Sequence, residues 1–202
     1  MKKTLYFMIA FVAAVLTACS ETHEEETEFA NWQERNDAFF STIYAKAVAE
    51  SDNGNKSWKV IKAFSKNNSS NAITSNPTDY IVVEVLKNGD SNSRPTLATD
   101  SASVHYRGNL MPTESYAAGY QFDTSWIGDY NLAAMTPSRF KVGDLVTGFS
   151  TALMNMNLGD RWKVYIPYEL GYGTTEKTGI PAYSTLIFDI TLVNSWPKRI
   201  DK

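Results

Sequence analysis

The feature that most constrains the fold is a pair of β-type runs flanking one long connection in the last third of the chain. The first run, residues 161–166, alternates polar and apolar residues and stops before Pro167. The second run reads TLIFDITLV over residues 185–193. A period of two is typical of sheet strands with one covered face. The covered face of the second run would carry four apolar side chains: Leu186, Phe188, Ile190 and Leu192.

The connection between these runs is rich in aromatic residues and glycines. Its aromatic and apolar residues are Tyr168, Tyr172, Ile180, Pro181 and Tyr183. A connection of this length is usually functional or disordered, and disordered segments are poor in aromatic residues. We therefore expect an ordered loop whose side chains roof a pocket.

Composition and charge exclude several classes of function. The 202 residues are 43% apolar and 20% charged, with a net charge of -3 and no basic block, so nucleic-acid binding has no electrostatic footprint. Cys19 is the only cysteine, and His23 and His105 are the only histidines. An intrachain disulfide, a thiolate cluster and a multi-histidine metal site are therefore excluded, and we expect neither a metal nor a cofactor.

Residues 1–18 have the features of a targeting signal. Two lysines precede the apolar run at residues 5–16, which is shorter than the ~20 residues of a spanning helix. The next residues, Leu16-Thr17-Ala18-Cys19, resemble a bacterial lipobox. This resemblance implies cleavage before Cys19, acylation of Cys19 and attachment to a lipid bilayer, as in an outer membrane lipoprotein of a Gram-negative bacterium. An ordinary secretory signal with an incidental cysteine is the alternative.

Residues 19–30 are acidic, with five glutamates between positions 20 and 28. A segment so charged cannot be buried, and we expect a solvated tether. An acidic run directly after a lipidated cysteine also resembles the surface-export signal of some Gram-negative lipoproteins. A plain spacer is an equal alternative, so a periplasmic and a surface-facing position both stay open.

Residues 31–78 are predicted to form a helical segment followed by a polar linker. The helix is expected over residues 31–50, a short strand within residues 55–66, and a polar loop with a domain boundary over residues 67–78. The helix carries an apolar stripe, which packs either on the body of the same chain, the option we favour, or on a second copy in a homodimer. The stripe consists of Trp32, Phe40, Ile43 and Ala47.

A series of motifs between residues 79 and 196 resembles the FKBP-type peptidyl-prolyl cis-trans isomerases. Matching so many positions in order is far more specific than one short motif. The early motifs are Val104-His105-Tyr106-Arg107-Gly108, Phe122-Asp123-Thr124-Ser125 and Phe140-Lys141-Val142-Gly143. The later ones are Leu158-Gly159-Asp160-Arg161, Ile166-Pro167-x-Glu169-Leu170-x-Tyr172-Gly173, Ile180-Pro181 and Leu186-Ile187-Phe188-Asp189-Ile190-x-Leu192.

The resemblance implies an α+β domain over residues 79–196. Its FKBP-like curved antiparallel sheet of about five strands would wrap on one short helix, expected at residues 144–156, after the N-terminal helical segment. Residues 197–202 would be a C-terminal tail. The implied activity is prolyl isomerisation of proline-containing polypeptides among exported protein chains, without cofactor or metal, and the implied inhibitors are macrolides.

The resemblance also implies a catalytic arrangement. Asp123 would lie in the pocket, hold Tyr106 and face the twisted amide, although a surface turn is the alternative for this acid. The Tyr172 hydroxyl and the backbone N–H of Ile180 would donate to a substrate carbonyl. His105 is expected to face away from Tyr106 and has no assigned role.

Six further side chains would form the walls of an aromatic pocket that is poor in water. Such a pocket favours the twisted amide by withholding the solvation that the planar, dipolar ground state enjoys in water. Burial in the core is an equal alternative for the strand residue among them, Phe188. The six are Phe122, Phe140, Leu145, Val146, Phe149 and Phe188.

Three departures from the family pattern affect the predicted pocket. Phe149 stands where the family usually has a tryptophan floor, and Ser138 stands where an aromatic residue usually precedes Phe140 by two positions. The stretches at residues 109–121 and 126–137 are longer than in a minimal domain, and they would either extend the substrate groove or cover it. These departures favour the alternative function, a non-catalytic proline-peptide binding module or holdase chaperone.

Overall fold

The computed structural model describes residues 28–66 and 76–197. The predicted signal peptide, Cys19, most of the acidic tether, much of the polar loop and the end of the tail lie outside the described residues. The chain divides into a unit that ends at Asn31 and a compact unit that begins at Trp32. None of the helices in the described ranges is long and apolar enough to cross a membrane.

The compact unit is an α+β fold built on one antiparallel sheet. The sheet order is β1-β2-β6-β7-β3-β4, and β5 also pairs with β3. The α-helices of this unit within the described residues are α1 (Trp32–Asp52) and α2 (Thr147–Asn155). The strands are β1 (Trp58–Lys62), β2 (Tyr80–Lys87), β3 (Ser101–Asn109), β4 (Gln121–Thr124), β5 (Ser138–Lys141), β6 (Arg161–Ile166) and β7 (Leu186–Trp196).

In the described residues the sheet has seven strands; six of them lie within residues 79–196, where about five were expected. The short strands β4 and β5 both pair with β3. At the other edge, β1 pairs with β2 along its whole length, from Trp58 opposite Glu84 to Lys62 opposite Tyr80. The segment before residue 79 therefore contributes a strand to the same sheet as the residues that resemble the family.

The core lies between the sheet and α2. Phe188 and Ile190 of β7 are buried there as the alternation predicts. Helix α2 is shorter than expected because residues 142–144 form a 3-10 turn before it. Gly148 lets the helix approach β6, since a Cβ at this position would collide with the side chain of Ile166.

The opposite face of the sheet is also covered, although the alternation predicted one covered face. Val82, Tyr165 and Ile187 form a second buried cluster there with Phe40 and Ala47 of α1. The apolar stripe of α1 therefore packs on the body of its own chain, as favoured. A homodimer through this helix stays a prediction, and it would have to use the exposed side of α1.

Buried hydrogen bonds attach the start of α1 to the chain just before β7. The side chain of Asn36 is fully buried; its Nδ2 donates to the carbonyl oxygen of Trp32 at 2.7 Å, and its Oδ1 accepts from Thr185 N at 2.8 Å. The indole Nε1 of Trp32 donates to Ser184 Oγ at 2.9 Å. Because a buried amide without partners is costly, these bonds favour one position of α1 on the sheet.

Candidate functional site

An open cavity of about 470 Å³ lies between the sheet, the start of α2 and the long loop before β7. Its size is within the range of small-molecule sites. All ten residues predicted from the family motifs surround it: Tyr106, Phe122, Asp123, Phe140, Leu145, Val146, Phe149, Tyr172, Ile180 and Phe188.

Three lining residues were not predicted, namely Asp144, Lys177 and Thr178. Asp144 directly follows the Phe140–Gly143 motif, and Lys177 and Thr178 precede Gly179 in the loop expected to roof the pocket. Their proximity to these motifs is the sequence signal that points to them. They add both charge signs to a cavity otherwise lined mainly by apolar side chains.

The inner wall of the cavity is a cluster of aromatic rings in edge-to-face contact. The ring centroid of Phe149 lies 4.9 Å from that of Phe188 and 6.2 Å from that of Tyr106, with interplanar angles of 82° and 85°. Phe140 contacts Tyr106 at 5.6 Å. Aromatic pairs prefer this geometry, and Phe149 and Phe188 are buried. Phe188 is therefore both a buried core residue and part of the cavity wall, so the two predicted alternatives hold together.

A glycine on β3 permits the packing of this wall. A Cβ at Gly108 would lie 2.5 Å from the ring of Phe122 and 2.7 Å from the ring of Phe188. With no side chain in the way, the rings of Phe122 and Phe188 meet at 5.5 Å and 89°. Any larger residue at position 108 would have to displace one of these two rings.

The Tyr106 hydroxyl donates a hydrogen bond to Asp123 Oδ2 at 2.6 Å. Asp123 lies on β4, opposite Gly108 of β3, and its Oδ1 accepts from Thr124 N at 2.8 Å. Burial raises the pKa of Tyr106, and the bond to the Asp123 carboxylate raises it further. The hydroxyl therefore stays protonated and holds the carboxylate at the cavity wall.

The long loop before β7 is ordered and places Tyr172 over the cavity. Gly173 N donates to Tyr168 O at 2.8 Å, and Tyr183 N donates to Gly173 O at 3.0 Å. Tyr172 remains 37% exposed. Burial, and then the charge of Asp123, raise the pKa of Tyr172, so its hydroxyl is an available donor at neutral pH.

The backbone N–H of Ile180 already has a partner. It donates to Lys177 O at 2.9 Å, and Lys177 N donates back to Ile180 O at 2.9 Å. The donor role that the resemblance implies for this group is therefore not available in this conformation. The start of α2 is another source of backbone donors, because the first N–H groups of a helix lack partners within it, and Val146 at the N-cap lines the cavity.

The insertion at residues 126–137 packs on the outer face of the sheet. The guanidinium of Arg107 lies 4.7 Å from the ring centroid of Trp126, and that of Arg161 lies 3.7 Å from the ring centroid of Tyr130. The Tyr130 hydroxyl is 2.7 Å from Thr191 Oγ1. Arg107 and Thr191 directly follow residues that face the core, so they point the other way. This insertion therefore contacts the sheet's outer surface through Trp126 and Tyr130, and these rings neither extend the cavity nor cover it.

The outer face also holds His105. Its side chain is buried, and burial lowers the pKa of its imidazole. As expected, it lies on the opposite face from Tyr106. In the described part of the chain, no group of three or more histidine, cysteine, aspartate or glutamate residues is placed to hold a metal ion.

Comparison with known proteins matches the part of the chain that contains this site to one family. Residues 93–193 match the family model of FKBP-type peptidyl-prolyl cis-trans isomerases. The chain is 34% identical over 115 residues to a Trypanosoma cruzi protein named macrophage infectivity potentiator, covering 56% of this chain and 52% of that one. It is 33% identical over 103 residues to FK506-binding protein 2 of Aspergillus oryzae, covering 50% of this chain and 69% of that protein.

A solved structure extends the comparison to the fold. The crystal structure of a peptidyl-prolyl cis-trans isomerase from Pseudomonas syringae pv. tomato matches with a TM-score of 0.54 and 21% identity, over 81% of this chain and 95% of that one. At this identity the match shows a shared fold. The chain spans about half the length of the Trypanosoma cruzi relative.

Proposed function

Because the chain belongs to the family of FKBP-type peptidyl-prolyl cis-trans isomerases, we propose that it isomerises X–Pro peptide bonds in exported protein chains. Conjugation opposes rotation about such a bond with a barrier of ~20 kcal/mol, so uncatalysed exchange takes tens to hundreds of seconds. A catalyst needs to break no bond. It needs only to bind the twisted amide better than the planar one.

The observation that carries this proposal is the hydrogen-bonded pair of Tyr106 and Asp123 in the wall of an aromatic cavity. The bond between Tyr106 Oη and Asp123 Oδ2 measures 2.6 Å, and the rings of Phe140 and Phe149 contact Tyr106. A proline ring in this cavity would be surrounded by aromatic edges. The planar amide would lose the water that stabilises its charge separation, which lowers the relative free energy of the twisted form.

Tyr172 is assigned the substrate-orienting role. Tyr172 lines the cavity, and its raised pKa leaves the hydroxyl protonated at neutral pH, as an ordinary tyrosine is. It would donate to a substrate carbonyl while Asp123 faces the rotating amide. Together with desolvation, such contacts need to lower the barrier by ~5 kcal/mol to accelerate exchange by a factor between 10³ and 10⁴.

An isomerisation assay on residues 20–202 tests the proposal. This segment contains the whole compact unit and omits the predicted signal peptide. We expect it to accelerate the slow phase of a proline-limited refolding reaction, and we expect a macrolide inhibitor to suppress the acceleration. A folded protein that leaves this phase unchanged at micromolar concentration would exclude the catalytic function.

A second candidate function is a binding module or holdase that keeps the cavity for proline-containing peptides without catalysis. The observation that favours it is the occupied N–H of Ile180, together with Phe149 in place of the family's tryptophan and Ser138 in place of an aromatic residue. Under this function the protein would bind proline peptides and suppress aggregation of an unfolded client while leaving the refolding rate unchanged.

The proposed place of action is outside the cytoplasm, on a lipid bilayer. The support is the lipobox-like sequence that ends at Cys19, followed by the acidic residues 20–28. These residues precede the compact unit in the sequence, so we assign the anchor and the cavity to different parts of the chain.

A further inference from the structure

The longer stretch at residues 109–121 places two exposed tyrosines beside the cavity. Tyr116 is 44% exposed and Tyr120 is 37% exposed. Their rings contact each other edge to face, with centroids 5.3 Å apart and an interplanar angle of 77°. We refer to these two rings as the tyrosine shelf.

The shelf is continuous with the wall of the cavity. A Cβ at Gly179 would lie 3.3 Å from Cε1 of Tyr120 and 3.9 Å from Cβ of Phe122. Phe122 and Ile180 both line the cavity. Phe122 is two positions after Tyr120 in the sequence, and Ile180 directly follows Gly179. The same point beside Gly179 is within 4 Å of both side chains, so Tyr120 adjoins the surface that Phe122 begins.

Backbone contacts hold the shelf in place. Leu110 N donates to Tyr120 O at 2.9 Å, and Gly119 N donates to Tyr116 O at 2.8 Å. The side chain of Asn109 donates to Gly119 O at 2.9 Å. Gly119 has a φ of 81°, and a Cβ there would collide with Leu110 O. The rings are therefore presented by an ordered turn, which reduces the entropy cost of binding to them.

From this geometry we propose that the tyrosine shelf binds an aromatic side chain of the same proline-containing chain whose X–Pro bond occupies the cavity. The proposal rests on the proposed function, because the cavity must take the proline. An extended chain advances ~3.3–3.6 Å per residue, so a side chain within three residues of the proline reaches a surface adjoining Phe122 and Ile180. Two exposed tyrosine rings offer an incoming ring edge and face contacts. The shelf would therefore determine sequence preference around the proline.

The test is a position scan with otherwise alanine-based peptides that contain one proline and one phenylalanine. The phenylalanine is moved through the three positions on each side of the proline, and an all-alanine peptide is the reference. Isomerisation is measured by exchange NMR, which needs no protease, and binding is measured by fluorescence anisotropy. We expect phenylalanine at one position to improve kcat/KM and binding by about three- to tenfold, the range for one aromatic contact.

Variants identify the shelf as the source of this gain. Tyr120→Ala should reduce the gain to below about twofold, whereas Tyr120→Phe should keep it because the ring is retained. Leu86→Ala is the matched control: Leu86 is 45% exposed and lies on β2, separated from β4 by three strands of the sheet. Circular dichroism and thermal melting verify that each variant is folded.

The outcomes separate this proposal from the proposed function. The proposed role of the shelf would be overturned if phenylalanine improved neither kcat/KM nor binding for the wild type. It would also be overturned if the gain persisted in Tyr120→Ala. Neither result would affect the proposed isomerisation. A protein that binds peptides with the gain but does not isomerise them would overturn the catalytic function and keep the shelf.

Discussion

At the scale of single residues, the two polar groups at the cavity have separable tasks. Tyr172 is partly exposed and contributes a hydroxyl, whereas Asp123 accepts the hydrogen bond of a buried tyrosine. We predict that Tyr172→Phe lowers kcat/KM by about three- to tenfold, since a hydrogen bond is typically worth ~0.5–1.5 kcal/mol. Its melting temperature should stay close to that of the wild type.

The control for this variant is Tyr130→Phe, which removes a tyrosine hydroxyl on the outer face. Its hydroxyl contacts Thr191 rather than the cavity, so kcat/KM should not change. Equal kinetics for Tyr172→Phe and the wild type would remove the orienting role. A large fall in the melting temperature of Tyr172→Phe would instead show that this tyrosine supports the fold.

Asp123→Ala should lower kcat/KM more strongly than Tyr172→Phe. It removes the carboxylate that would face the twisted amide and leaves the Tyr106 hydroxyl without its bond at 2.6 Å. Hydrogen bonds to charged groups are worth ~1.5–3 kcal/mol, so the activity loss should reach about tenfold or more. Asp123→Asn keeps an acceptor for Tyr106 and should recover the melting temperature but not the activity.

Phe149→Trp tests the cavity floor. The phenylalanine ring already contacts Phe188 and Tyr106, yet about 470 Å³ remains open above the floor. We predict that the larger indole raises kcat/KM or macrolide affinity, with a loss of stability below the ~1–3 kcal/mol typical of overpacking. Melting temperature and refolding rate are measured together. Lower stability without a gain in rate would mean that no free space adjoins the floor.

At the scale of elements, the sequence pattern was most informative for single strands and for the motif residues. The strand over residues 161–166 was predicted at its observed bounds, and the motif residues converge on one cavity. The second covered face of the sheet was not predictable from the alternation of β7. It depends on the docking of α1 through Asn36, whose amide bonds to a residue 149 positions away, and no local pattern encodes such a distant partner.

The insertion at residues 126–137 shows the same limit. This insertion was expected either to extend the substrate groove or to cover it, but Tyr130 lies over Arg161 on the outer face. The sequence position of a tyrosine does not show which face of a sheet it covers. Its ring can line an aromatic cavity on one face or contact an arginine guanidinium on the other. Here the partner of Tyr130 is the guanidinium of Arg161, which donates two hydrogen bonds to Asp189, at 2.9 and 2.6 Å.

This packing predicts a structural role for the insertion. Tyr130→Ala removes a cation–π contact and a hydrogen bond, and should destabilise the fold by about 1–3 kcal/mol in urea unfolding. Tyr130→Phe keeps the ring and should cost about 0.5–1.5 kcal/mol. Neither variant should alter kcat/KM under conditions where it is folded. Reduced activity at unchanged stability would show that the insertion contributes to substrate binding after all.

At the scale of the whole molecule, the proposed anchor and the cavity belong to different parts of the chain. The lipobox-like residues lie before residue 20, whereas the compact unit begins at Trp32. The acidic stretch between them is predicted from its charge to be a solvated tether. Anchoring should therefore determine where the protein acts without altering how its cavity binds proline.

We predict that Cys19→Ala moves the protein from the membrane pellet to the soluble fraction and abolishes labelling by a fatty-acid analogue. A single acyl chain binds a bilayer only reversibly, and stable anchoring takes two signals. Resistance of the wild type to a carbonate wash therefore requires more than one acyl chain on the protein. Ser20→Ala is the matched control and should stay in the pellet. Because Cys19→Ala can also block removal of the signal, a second version replaces residues 1–19 with a cleavable secretory signal. This version should be exported, soluble and as active as the segment 20–202, whereas its recovery in the carbonate-washed pellet would contradict a lipid anchor at Cys19.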